Sequence, residues 1–111
     1  MVLEVTLIDV LPGRDGDFLE AYRLARPTIA GAPGCRSVRV KRGVEGTTRF
    51  MLLVEWDSME AQEHNFRRTE RFAQWRALIA TTLAQPPLAE FFTDVVPAGA
   101  RPDPDHDFFA A

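Results

Sequence analysis

The sequence has one cysteine, Cys35, two histidines, one tyrosine and two tryptophans in 111 residues. A single cysteine excludes an intrachain disulfide framework, and Cys35, opening a strand after a turn, reads as a buried and inert thiol. Metal-ligand spacing is also missing. His64 shares a turn with Glu60 and Glu63, but the second histidine, His106, lies far along the chain. Nor is there an excess of positive charge. The net charge is −3, and the last fifteen residues, with one Arg and three Asp, carry most of it. The remainder is close to neutral, which argues against a surface built to neutralise phosphates. No run approaches the ~18 consecutive apolar residues of a membrane helix. The opening MVLEVTLIDV is too acidic and too alternating for a signal peptide, so the expected location is the cytoplasm. Internal repeats and nucleotide-binding motifs are absent.

What is present suits one globular domain. The chain is 46% hydrophobic and 26% charged, and a chain of this length can bury roughly 65% of its unfolded surface. Residues 2–10 alternate, with Leu3, Val5 and Leu7 on one face and Glu4, Thr6 and Ile8 on the other, which predicts a strand. Asp17 and Glu20 have the spacing of a capping box, and Phe18, Tyr22, Ala25 and Ile29 form a helical apolar stripe. Pro27 is expected to break or kink that helix near Ala25. Residues 35–42 and 49–56 read as two strands joined by the loop 43–48. Asp57-Ser58 caps a short helix from Met59. Thr69 restarts a longer one, whose Phe72, Trp75, Ile79 and Leu83 share a face and which Pro86-Pro87 stops. Residues 88–96 read as a fourth strand. The expected domain is 1–96, followed by a Pro- and Asp-rich tail, 97–111, whose Phe108-Phe109 end is expected to dock on its own body or on a partner's.

The order β-α-β-β-α-β is the ferredoxin-like α+β pattern, a four-stranded antiparallel sheet with helices on one face. The other face is predicted to be apolar as well. Phe50, Leu52, Val54 and Trp56 point one way along the third strand, and Met51 and Leu53 the other; Leu88 and Phe92 oppose Phe91 and Val95 on the fourth. Soluble monomers avoid such a patch, so a homodimer packed sheet to sheet about a two-fold axis is expected. Arg36, Arg39, Lys41 and Arg42 alternate with Val38 and Val40 and are expected to form one solvated or interface face. The RNA recognition motif shares the strand order, but RFMLLVEW (49–56) lacks the glycine and the stacking rings of its third strand, which excludes RNA binding.

The segment VEWDSMEAQEHNFRRTERFAQW (54–75) resembles the antibiotic biosynthesis monooxygenase (ABM) family: a strand ending in Trp, then Asp-Ser, Glu-Ala, a helix with Phe-Arg, and Phe-x-x-Trp. The resemblance covers residues 1 to about 96 and implies the dimeric α+β barrel fold. Within that family it implies several functions: cofactor-free oxygenases acting on aromatic polyketides, haem-degrading enzymes, and signalling or stress-associated members. In the haem-degrading branch an axial His, a Trp and a first-strand Asn are needed. Arg76 and Phe66 stand at the first two positions, and the first strand has no Asn, so haem is not the expected partner.

The resemblance therefore implies an oxygenase that needs no cofactor and oxidises a phenolic or quinol-type aromatic with molecular oxygen. Such chemistry asks for a dry apolar pocket, aromatic walls and hydrogen bonds that favour the phenolate. Asn65 matches in kind the cavity amide of such enzymes. Histidine titrates near neutrality, which makes His64 the candidate general base, and Arg76 or Arg39 could stabilise an oxyanion. Tyr22, Phe66, Phe72 and Trp75 are the candidate substrate-binding aromatics, with Arg39 beside them. The alternative is a dimeric, non-catalytic binder of a hydrophobic small molecule, or a stress-associated protein of the same fold. Proton-transfer chemistry without oxygen, as in an isomerase or decarboxylase, is a third reading.

Overall fold

The computed structural model describes residues 1–96. The elements run β1 (Val2–Asp9), α1 (Asp15–Ala30), β2 (Cys35–Arg42), β3 (Arg49–Trp56), α2 (Met59–Gln62), a π-helical turn (Glu63–Arg67), α3 (Glu70–Ile79), a 3₁₀ turn (Ala80–Thr82) and β4 (Leu88–Phe92). The four strands form one antiparallel sheet in the order β2-β3-β1-β4, the ferredoxin-like arrangement expected, with three helices against one face. None of those helices is long and apolar enough to cross a membrane.

Both predicted caps after β3 form. The Ser58 side chain accepts from the Ala61 amide at 3.1 Å, and that of Thr69 from the Arg71 amide at 3.2 Å. Three other expectations are corrected. Pro27 does not break α1, which runs on to Ala30. It sits in the last turn, where it removes only the bond to the Arg23 carbonyl, and Arg23 is exposed to water. The Thr28 carbonyl, near the helix end, is served instead by Arg71 of α3 at 3.3 Å. Gly31 permits this approach, because a Cβ there would stand 2.8 Å from the Arg71 guanidinium. The Asp17–Glu20 capping box is also absent: Asp17 pairs with Arg14 and Glu20 with Arg23. Finally, α3 ends at Ile79, well before the prolines, and Leu83 leaves the helix to bridge Val10; β4 begins at Leu88 as expected but ends at Phe92, short of 96.

Register decides which side chains meet. Glu4 pairs with Val54 and Thr6 with Leu52, so these two polar residues lie on the helix-covered face with Ile8, Phe50 and Trp56. The core is built there, around Trp56, Phe18, Phe50, Ile8 and Ile29, all fully buried. Leu3, Val5, Leu7, Met51, Leu53, Leu88 and Phe92 share the opposite, uncovered face; Leu88 is 60% exposed and Phe92 49%. The four basic residues of β2 do not share one face. Arg39 and Lys41 pair with Leu53 and Met51 on the open side, whereas Arg42 pairs with Phe50, lies over its ring and reaches Asp15. A register shift between Cys35 and Ser37 breaks the alternation, and Arg36 pairs with Asp57. The 97–111 tail lies outside the described residues.

Candidate functional site

A cavity of about 830 Å³ lies between the β1 end of the sheet and the segment running from α2 to β4. That volume is ample for a ligand of two or three fused rings. Its walls are Phe66, Phe72, Trp75, Ile29, Leu52, Ile79 and Leu83, with Ala84 to Pro87 closing one side. The aromatic walls brace one another. Phe66 stacks obliquely on Trp56 at 5.7 Å between ring centres, and its edge contact with Phe72 spans 5.5 Å. Trp75 meets Tyr22 edge-on at 6.2 Å.

The polar groups of the cavity fall in two zones. On its floor is Glu4, only 7% exposed. Its carboxylate accepts from the Trp56 indole N–H at 3.0 Å and from the Thr6 hydroxyl at 2.9 Å. Burial raises the pKa of this carboxyl above the ordinary glutamate value. The hydrogen bonds from Thr6, Trp56 and Gln62 and the charge of Arg67 oppose that shift without cancelling it. Beside it is Gln62, 2% exposed, whose Oε1 has no hydrogen-bond partner among the described residues. At the mouth are Arg67 and Arg76, whose guanidinium groups lie 5.7 and 5.6 Å from the centre of the Phe72 ring.

The π-helical turn brings Arg67 to the mouth. Its signature is the bond from the Arg68 amide to the Glu63 carbonyl, five residues back, at 2.9 Å. In such a turn residues five apart are in line, so Gln62 and Arg67 address the same cavity. In an α-helix, at about 100° per residue, they would diverge.

Of the candidate residues read from sequence, Phe66, Phe72, Trp75 and Arg76 line the cavity. Tyr22 stands behind Trp75. Asn65 and His64 lie elsewhere. The Asn65 amide donates to the Pro33 carbonyl at 2.8 Å, tying the π turn to the loop before β2, and His64 is exposed. Arg39 is on the far face of the sheet. Sequence reasoning missed Glu4, Thr6, Gln62 and Arg67. The available signal was Glu4 itself, a carboxylate on a strand face that Ile8 and Val10 continue. No group of three or more His, Cys, Asp or Glu side chains placed to hold a metal ion occurs among the described residues.

Comparison with known proteins places the chain among relatives. A family model described as antibiotic biosynthesis monooxygenase matches residues 1–78. The Bacillus subtilis protein YczJ, itself uncharacterized, is 32% identical over 95 residues, which are 86% of this chain and 100% of that one. A crystal structure of a candidate antibiotic biosynthesis monooxygenase from Bordetella bronchiseptica superposes with a TM-score of 0.80 at 33% identity, covering 86% of this chain and 97% of that one. A monooxygenase from the ActVA-Orf6 gene of Streptomyces coelicolor, solved with nanaomycin D, shares the fold with a TM-score of 0.73 at 24% identity, covering 85% and 87%.

Proposed function

The chain belongs to the antibiotic biosynthesis monooxygenase family, and on that premise we propose that it is a monooxygenase that oxidises a phenolic or quinol-type aromatic with dissolved dioxygen in the cavity above Glu4. The observation that carries this reading is a buried carboxylate on the floor of an aromatic-walled cavity. The Streptomyces coelicolor monooxygenase, solved in complex with the ligand nanaomycin D, supports reading the fold as one that takes a small-molecule ligand.

The residues suit the following sequence of steps. Glu4 takes the proton of the aryl hydroxyl, and the dry surroundings that make its carboxyl hard to ionise also make the carboxylate a stronger base. Trp56 and Thr6 hold both carboxylate oxygens in place. The aryl oxide passes one electron to dioxygen, and the resulting pair joins at a hydrogen-bearing ring carbon opposite or adjacent to the oxygen, whose hydrogen later leaves with the outer peroxide oxygen as water. Glu4 returns its proton to the peroxide, and loss of water leaves the quinone. One oxygen atom of dioxygen enters the product and the other leaves as water. Glu4 is the proton acceptor in this reading, because His64 and Asn65 do not reach the cavity. The uncovered sheet face, with Leu53 at its centre, is the proposed contact for a second copy in a homodimer.

The test is dioxygen consumption with a panel of naphthols and hydroquinones, no cofactor added, for the wild type, Glu4→Gln and Asn65→Ala. Expected are uptake by the wild type, a fall of about 10²-fold or more in Glu4→Gln, and little change in Asn65→Ala. Undiminished turnover in Glu4→Gln would sink the assignment. Tight binding of these aromatics without any uptake favours the non-catalytic binder instead.

A further inference from the structure

The arginines are unevenly committed. Among the described residues, Arg14, Arg23, Arg36, Arg42, Arg49 and Arg68 pair with carboxylates. Arg26 and Arg71 donate to the Val38 and Thr28 carbonyls. Arg39, Arg67 and Arg76 have neither kind of partner among those residues; Arg39 lies on the open face of the sheet, whereas Arg67 and Arg76 both stand against the same Phe72 ring and both edge the cavity. The one carboxylate within the cavity, Glu4, lies on its floor and is already bonded by Trp56 and Thr6. Two guanidinium groups beside one ring at the edge of a cavity give that edge a positive charge that an anionic group on a ligand can meet.

The floor of the cavity asks for a different group. Gln62 Oε1 is a buried acceptor without a donor among the described residues, and an unmet buried acceptor carries a penalty that a ligand can remove. The neighbouring Glu4 carboxylate is also an acceptor. Both call for a hydroxyl.

We propose that the ligand is a hydroxyaryl carboxylic acid, seated with its hydroxyl toward Glu4 and Gln62 and its carboxylate between Arg67 and Arg76. The proposal rests on the reading of the cavity as an aromatic site and adds the anionic end of the molecule. Phe72 then has two roles, wall for the rings and platform for the arginines. The carboxylate at the mouth fixes which end enters first, so the hydroxyl and not the acid group meets the base.

The experiment is a binding titration of the full chain, followed by quenching of tryptophan fluorescence. Its probes are a hydroxynaphthoic acid with its two groups at opposite ends of the ring system, the naphthol lacking the carboxylate, and the naphthoic acid lacking the hydroxyl. The hydroxynaphthoate is expected to bind about tenfold more tightly than either. Arg67→Gln and Arg76→Gln, both surface changes that leave the core intact, are expected to weaken the two acids about tenfold each and to leave the naphthol unchanged. Gln62→Leu should weaken the naphthol and hydroxynaphthoate and spare the naphthoate. Equal binding of naphthol and hydroxynaphthoate, or arginine variants with unaltered affinity for the acids, would overturn the anion subsite while leaving the aromatic cavity standing. Failure of all three probes to bind would overturn both.

Discussion

Replacing Gly34 with alanine tests how the site is anchored. Gly34 has φ +90°, in the left-handed region, and a Cβ there would stand 2.6 Å from the Cβ of Ala61 on α2. Two penalties follow. The backbone conformation costs a side-chain-bearing residue about 1–2 kcal/mol. Overpacking against the first turn of α2 costs about 1–3 kcal/mol more. Their sum, about 2–5 kcal/mol, is a large part of the stability of a domain this size. At roughly 4–8 °C per kcal/mol, the melting temperature should fall by about 8–40 °C. Thermal unfolding followed by circular dichroism measures this. Adding Ala61→Gly separates the two terms, because it removes the clash and leaves the backbone penalty. The double variant should therefore recover about 1–3 kcal/mol beyond the additive expectation. A loss below ~1 kcal/mol in Gly34→Ala would refute the reasoning outright. No coupling with Ala61→Gly would refute the contact alone. The turn matters to the cavity because it carries three ties to the segment after β3: the Gly34 carbonyl accepts from the Asp57 amide at 2.8 Å, the Pro33 carbonyl from Asn65, and Arg36 pairs with Asp57.

Two further outcomes are expected. The Glu4 carboxyl has a raised pKa in the folded protein, so the folded state holds its proton more tightly than the unfolded chain. That contribution is complete below the unfolded value near 4.5 and is lost as pH climbs through the higher folded value. Urea unfolding at pH 4 and pH 8 should show the stability of Glu4→Gln improving relative to the wild type at the higher pH; a difference that does not vary with pH contradicts this. On the open face, Leu53→Asp should leave thermal stability of the fold nearly unchanged at low concentration and abolish self-association in light scattering, whereas a wild type that scatters as a monomer at micromolar concentration rules out the sheet-to-sheet dimer.

The sequence was most legible where local chemistry decides. β2 and β3 have the ends that alternation and the turn residues predict, and Ser58 and Thr69 cap as their positions suggest, because strand period and capping depend on a few neighbouring residues. Pro27 misled because the effect of a proline depends on how far it stands from the helix end, and that end was set by packing of Arg71 against Thr28. The candidate site was half legible. Phe72 and Trp75 follow from helical spacing, and Phe66 and Arg76 entered through the family resemblance, but Glu4 did not, since the all-apolar face of β1 (Leu3, Val5, Leu7) is the one the helices leave uncovered. Pairing with β3 settles that, placing Glu4 opposite Val54 and beneath α2. Arg67 was hidden by a different cause. Helical periodicity at 3.6 residues sends it away from Gln62, and only a turn with five-residue bonding returns it.

That turn works as a phase adjuster between two helices. Everything before it is set by the Ser58 cap and everything after it by Thr69, so one residue can be lost between them without disturbing either. Deleting Arg67 or Arg68 would let the turn close as ordinary α-helix and would rotate the following cation by about 100° relative to Gln62. The aromatic walls, borne by Phe66 and by α3, would stay. A lineage with this fold can therefore exchange the charge at its cavity mouth by a change of length, with no substitution in the cavity wall.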